Sequence, residues 1–357
     1  MYNLKIKNFG VLKDIDINLN KINLFIGDNG SGKSVLAKII TIVTSFDRYS
    51  DNFLDEFYKY DIGFIEDDTV LEFIDIKSSH IIFSIENNKV NFSNKTLESI
   101  SNVDEIKNIL NSFQNPENVN IDNFLPKYFT SQYIPAERNL ISLLNRSIYS
   151  LISSDIPLPK HLLTFASNYE KAKNEIKELD LLNMKFVSQN GQDRIYYNKE
   201  NFLPLENSSS GMQTALPLYL TLKYFSTKYN DIVIEEPEQN LYPKSQVDTI
   251  KYIIQNSPNN LYLMTHSPYI LSILNILLFA YKASSTNDLL AKKINSRISK
   301  DQHINPNNFS AYLIKDGKSI SIKSENTGMI KENIIDDISD NIDEEFNHLM
   351  QLYREYK

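Results

Sequence analysis

One short stretch near the start of the chain carries the residue types that phosphate chemistry needs. Gly27-Asp28-Asn29-Gly30-Ser31-Gly32-Lys33-Ser34 fits the spacing G-x-x-x-x-G-K-[ST]. Glycines let a backbone wrap closely around phosphates with its N–H groups pointing inward, and a helix starting directly afterwards adds its positive end. Asn29, Gly30, Ser31 and Gly32 would form the cradle. Lys33 would set a point charge against the β- and γ-phosphates, and Ser34 would offer a hydroxyl to Mg²⁺. Three of the nine glycines in the chain fall in this stretch.

Three further constellations follow in a fixed order. Ser208-Ser209-Ser210-Gly211-Met212-Gln213 places small hydroxyl residues and a glycine at a helix start, which is a second anion site. Asp231-Ile-Val-Ile-Glu235-Glu236-Pro237-Glu238 is an apolar strand ending in adjacent carboxylates. Neighbours on a strand point to opposite sides, so one carboxylate can hold Mg²⁺ while the other leans toward an attacking water. Leu261-Tyr-Leu-Met-Thr-His266-Ser-Pro268 is another apolar strand, ending in one of only five histidines. His266 can hydrogen-bond a γ-phosphate or position water.

Each motif needs an element to present it. Tyr2 to Ile6 and Ile15 to Leu19 alternate as half-buried strands, and Ile22 to Ile26 is a short apolar strand before the glycine-rich turn. Ser34 to Val43 reads as the helix after it. Further short strands are expected over 62–93, including Ile81 to Ile85 and Val90 to Phe92 around Asn87-Asn88. A helix is expected over Asn94 to Phe113, and a loop over Asn115 to Asn123. Pro159 to Leu182 reads as one helix, and Lys185 to Tyr197 as a hairpin turning at Asn190-Gly191. A second α/β block then runs helix (211–224), strand (231–234), helix (245–255), strand (261–264). A hairpin about Asp316-Gly317 and an amphipathic helix from Ser339 to Tyr356 close the chain.

The composition is that of an ordinary folded protein: 357 residues, 41% hydrophobic and 23% charged. A net charge of −8 excludes a uniformly basic nucleic-acid binder but leaves a local DNA contact open. No cysteine is present, so disulfides, thiolate metal sites and cysteine nucleophiles are excluded. No run reaches the roughly 20 apolar residues of a membrane span. These features fit a cytoplasmic protein that does not enter the membrane.

The order of the motifs resembles the ABC-type ATPases, in particular their RecF/SMC-like and OLD-like branch. Leu4-Lys-Ile-Lys-Asn-Phe9, Tyr133-Ile-Pro-Ala-Glu-Arg138, Glu235-Glu-Pro-Glu-Gln-Asn-Leu-Tyr-Pro243 and Thr265-His-Ser-Pro268 carry the likeness alongside the glycine-rich loop. The resemblance implies an α/β fold: an ABC-type P-loop NTPase head with an antiparallel β lobe, a mixed or parallel core sheet flanked by helices, and a short, mainly helical insert. The expected division is an N-terminal lobe over 1–93, the insert over 94–184 and a C-terminal lobe over 185–357.

By position, the resemblance makes Lys33 and Ser34 the phosphate and Mg²⁺ residues, Glu235 the metal carboxylate and Glu236 the catalytic base. Ser210, Gly211 and Gln213 match the signature loop, with Met212 in place of its second glycine. Asn240 and Leu241 match the D-loop, and His266 the switch histidine. For the Q-loop, Glu137 is the first candidate and Gln132 the second. The implied activity is Mg²⁺-dependent ATP hydrolysis in a head-to-head homodimer or higher oligomer. Long coiled coils and an appended nuclease are missing from the pattern. The chain therefore resembles the standalone ATPase subunits of anti-phage systems such as Septu, PARIS or Rlo-type pairs, which act with a separately encoded effector such as a nuclease. Rival readings are a transporter's nucleotide-binding subunit and an ATP-clamped scaffold with little turnover.

Overall fold

In the computed structural model, residues 1–45, 53–92, 131–144, 158–189, 191–226, 228–257, 260–331 and Leu349 are described. The helix expected over 94–113 and the loop over 115–123 lie outside them, as does the helix expected over 339–356 apart from Leu349.

Alternating apolar residues build the first strands. β1 (Tyr2–Phe9) and β2 (Leu12–Leu19) pair antiparallel with Ile6 opposite Ile15. β3 (Ile22–Ile26) leads through the glycine-rich loop into α1 (Lys33–Thr44), and α2 (Phe53–Lys59) follows. β4 (Val70–Asp75) pairs with β1, and β5 (His80–Glu86) and β6 (Lys89–Phe92) extend that side. Asn87 and Asn88 both have positive φ, as a two-residue hairpin turn requires.

The central segment contributes β7 (Ser131–Ile134), α3 (Asn139–Leu144) and α4 (Lys160–Glu175). Next come β8 (Glu178–Leu181), β9 (Met184–Gln189), β10 (Gln192–Tyr196) and β11 (Phe202–Pro204). The C-terminal block holds α5 (Ser210–Phe225), β12 (Asp231–Glu235), α6 (Pro243–Asn256) and β13 (Asn260–Thr265). It ends with α7 (Pro268–Ser284), α8 (Asp288–Asn295), β14 (Phe309–Lys315) and β15 (Lys318–Ser321).

Eleven strands form one sheet in the order β6-β5-β4-β1-β2-β15-β14-β3-β13-β12-β7. The β6-to-β2 side is antiparallel, whereas β14, β3, β13, β12 and β7 run parallel. This is the mixed α/β P-loop NTPase arrangement expected, with the loop at the C-terminal end of a parallel strand. The parallel strands are buried on both faces, so they read as unbroken apolar runs. Phe25, Val233, Tyr262 and Met264 face the α1 side, and Leu24, Ile232, Ile234, Leu261 and Leu263 face α5, α6 and α7.

Two sequence expectations change. β7, inside the 94–184 stretch, is a strand of the main sheet, paired in parallel with β12. The helix read over 159–182 ends at Glu175, and Leu179 and Leu181 belong to β8. Leu179 follows Ile176 at the spacing of a helix face, but its spacing of two from Leu181 is that of a strand, and Leu182 and Asn183, both at positive φ, make the tight turn into β9. β8 to β11 form a separate four-stranded sheet.

Candidate functional site

The glycine-rich loop joins β3 to α1 with no side-chain cap on the helix, so the first N–H groups of α1 are left for a ligand. Gly27 is fixed by space: a Cβ there would meet the carbonyl oxygen of Ile314 at 2.3 Å. Gly32 precedes the helix at φ 98, a conformation that disfavours a side chain. Asn29 and Gly30 are exposed and Ser31 is half-buried, leaving the mouth of the loop open.

Lys33 is buried and folds back into the cradle. Its Nζ donates to the carbonyls of Gly27 at 2.7 Å and Asp28 at 2.9 Å. Burial lowers its pKa, while the nearby carboxylates of Glu236, Asp28, Glu238 and Glu235 hold it up. Ser34 Oγ donates to Glu235 Oε2 at 2.9 Å, and Tyr133 OH donates to Glu235 Oε1 at 2.6 Å. Burial raises the pKa of Glu235, and these two hydrogen bonds oppose the rise. The strand-end carboxylate and the loop hydroxyl, 201 residues apart, thus share one position.

Glu236 turns the chain out of β12 at φ 42, in the left-handed region that a non-glycine residue enters only when held there. Its N–H donates to the Met264 carbonyl at 2.8 Å. His266 is half-exposed, its Nδ1 3.8 Å from Glu236 Oε1 and 3.6 Å from Glu238 Oε1. Glu238 is buried and accepts from Thr265 Oγ1 at 2.6 Å and from the His266 N–H at 3.0 Å. It therefore fixes the strand end that carries the histidine.

Arg138 is 1% exposed. Its Nη1 donates to the carbonyls of Pro135 at 2.9 Å and Glu235 at 2.7 Å, its Nη2 to the Glu236 carbonyl at 2.6 Å, and its Nε to the Thr214 carbonyl at 3.2 Å. Burial pulls its pKa down to about 10, against the field of Glu238, Glu236, Glu235 and Glu137.

Ser209 caps α5, accepting from the Met212 N–H at 3.4 Å, and leaves Ser210 exposed at the helix start. Gly211 lies against the loop after β12, where a Cβ would stand 2.9 Å from the Asn240 carbonyl. Met212 points into the core. Gln213 is also turned inward, its Nε2 donating to the carbonyls of Glu206 and Ser208 at 3.0 Å each. Gln132, the second Q-loop candidate, is buried and bonded to Asn168 and to the Tyr133 carbonyl, whereas Glu137 is exposed.

The roles of Tyr133, Arg138 and Glu238 were not assigned from sequence. All three stand in the motif segments themselves. A buried arginine one turn past a strand end, and a third acidic residue after the carboxylate pair, are the signals that could have flagged the last two.

Among the described residues no cluster of three His, Cys, Asp or Glu could hold a metal alone. Ser34 and Glu235 nonetheless fit a hard cation that takes its remaining oxygens from phosphates and water. A groove of about 440 Å³ opens beside the loop, against Lys13, Asn29, Gly30 and Asp316-Gly317. A larger cavity of about 770 Å³ lies on the four-stranded sheet, but its Glu178 and Lys185 pair with each other at 2.6 Å, and none of the motif residues lines it.

The profile of the family described as "AAA domain, putative AbiEii toxin, Type IV TA system" matches residues 22–272, more than two-thirds of the chain. The chain belongs to that family. The matched span of this AAA-domain protein includes the glycine-rich loop, the signature-like helix start, both carboxylates and His266. Solved structures with a similar chain path include an SMC head bound to the C-winged helix domain of ScpA, at 12% identity and TM-score 0.40, covering 92% of this chain and 99% of that one. The SMC head domain from Thermotoga maritima gives 12% and 0.41, covering 90% and 98%. A dimeric ATP-binding cassette in a post-hydrolysis state, bound to ADP and Pi, gives 12% and 0.34, covering 89% and 96%. At these scores the structural likenesses carry no weight of their own. No curated protein matches the sequence. No helix among the described residues is long and apolar enough to cross a membrane.

Proposed function

We propose that this protein binds Mg²⁺·ATP at the 27–34 loop and hydrolyses it. The observation that carries the reading is the meeting of Ser34 Oγ and Glu235 Oε2 at 2.9 Å beside a buried Lys33, with Glu236 as the next residue. Lys33, the loop N–H groups and the start of α1 bind and orient the phosphates. Ser34 and Glu235 hold the Mg²⁺, which supplies neutralisation of the developing phosphate charge. Glu236 accepts the proton of the attacking water, and His266, held by Glu238, orients the γ-phosphate or that water. The groove beside Asn29 and Asp316 has room for the nucleoside.

In this reading Ser210 and Gly211 of a second copy complete the site in a head-to-head dimer. The exposure of Ser210 at the start of α5 supports that role, while the inward Gln213 supports a part in shaping the loop rather than touching nucleotide. The biological setting we infer is an ATPase subunit of a phage-defence or DNA-processing complex, controlling a separately encoded effector such as a nuclease. The family description, which names a toxin of a toxin–antitoxin system, is in keeping with that setting.

Glu236→Gln tests the reading. The variant should bind ATP with near-normal affinity, lose turnover by about 10²-fold or more, and accumulate a closed dimer. Normal turnover would remove Glu236 as the base.

A further inference from the structure

Proline 217 lies inside α5 and has no N–H to give the carbonyl of Gln213, four residues earlier. That buried carbonyl accepts instead from Ser142 Oγ on α3, at 2.7 Å. The next carbonyl, Thr214, is met by Arg138 Nε at 3.2 Å. Thr214 is 0% exposed, and its Oγ1 donates to the Ser210 carbonyl at 2.9 Å and accepts from Asn240 Nδ2 at 3.0 Å.

The loop after β12 contains two non-glycine residues at positive φ, Glu236 at 42 and Asn240 at 59. Each is held by this cluster. Arg138 grips the Glu236 carbonyl at 2.6 Å and the Glu235 carbonyl at 2.7 Å, and Thr214 holds the Asn240 side chain. A guanidinium that is buried, has four of its five N–H groups bonded to carbonyls and is surrounded by four acidic side chains is a rigid bracket rather than a solvated surface charge.

We propose that Arg138 and Thr214 are positioning residues that join the first turn of α5 to the Glu235–Asn240 loop as one mechanical unit. Ser210 lies one helical turn before Thr214, so a shift of the helix start reaches Thr214 and, through Arg138, the backbone of Glu236. The inference rests on the ATPase reading above. In a head-to-head dimer the helix start covers the partner's nucleotide while Glu236 serves its own, so the bracket connects the two composite sites.

Three variants test it. Thr214→Val removes the hydroxyl at nearly constant volume, Thr214→Ser keeps it, and Arg138→Lys keeps a cation without the forked donors. Melting temperature, Mg²⁺·ADP affinity, kcat and KM are measured for each. Small misplacements of a catalytic group cost up to about 10²-fold in rate. Thr214→Val should lower kcat by about 5- to 20-fold and Arg138→Lys by about 50-fold or more, with nucleotide affinity within about 2-fold of the parent. Thr214→Ser should recover most of the rate. If Arg138→Lys fails to fold, the valine–serine comparison at Thr214 decides. Parent-like kcat in Thr214→Val, or affinity lost in parallel with kcat, would overturn the proposal. A parent protein that binds no Mg²⁺·ATP would overturn the ATPase reading instead.

Discussion

Replacing His161 by glutamine should remove part of the protein's sensitivity to acid. The His161 ring stands at the start of α4, stacked at 5.9 Å on Tyr60 and edge-on at 5.6 Å to Tyr133, and is 5% exposed. Its Nδ1 is buried with no hydrogen-bond partner. Burial pulls its pKa down from 6.5 to about 4, and Lys38 pushes the same way, against Glu137 and Asp61. The folded state therefore binds fewer protons than the unfolded state between those values. Stability is full above pH 6.5, is lost as pH falls toward 4, and falls no further below that. Linkage over the two pKa values gives a loss of about 2 kcal/mol between pH 7 and pH 5, and about 3 kcal/mol in total. Urea unfolding of parent and His161→Gln at pH 7 and pH 5 measures it, because all other titrating groups are common to both. The parent should lose about 2 kcal/mol more than the variant across that interval. Equal pH dependence in the two proteins would refute the argument that burial holds His161 neutral.

Lys33→Ala removes the charged donor of the cradle; a charge-assisted hydrogen bond of about 1.5–3 kcal/mol implies ATP affinity weaker by about 10- to 150-fold, read by calorimetry on a folded variant. Tyr133→Phe releases one oxygen of Glu235 and should raise the Mg²⁺ concentration needed for half-maximal ADP binding by about 10-fold, with metal-free ADP binding unchanged. A mixture of Ser210→Arg and Lys33→Ala subunits contains dimers with one site in which both halves are intact, so ATPase activity should return above that of either variant alone. No rescue in a mixture shown to form heterodimers would count against the head-to-head site.

The chemistry-bearing loops were legible because each has a local cause. Ile22–Ile26, the glycines and Lys33 form a strand, a cradle and a helix start from adjacent residues, and Glu235 and His266 end apolar strands. What could not be read depends on partners far along the chain. Tyr133 earns its place through Glu235, 102 residues on, and Arg138 through carbonyls of residues 214, 235 and 236. Backbone carbonyls have no sequence signature, so a cation that binds only carbonyls gives no charge pattern to find. The end of α4 was misplaced for a local reason: Leu179 continues the helical spacing from Ile176, and the turn at Leu182-Asn183 lacks the glycine that marks most hairpins.

Pro217 and Ser142 also constrain how this sequence can drift. While residue 217 is proline, a hydroxyl at 142 is needed to satisfy the Gln213 carbonyl, and its loss leaves a buried acceptor unpaired. Once residue 217 regains an N–H, the helix satisfies that carbonyl itself and position 142 is released. The two positions are thus joined in a one-way order of substitution, in which the proline must change before the serine can, although neither touches the nucleotide site and they stand on different helices.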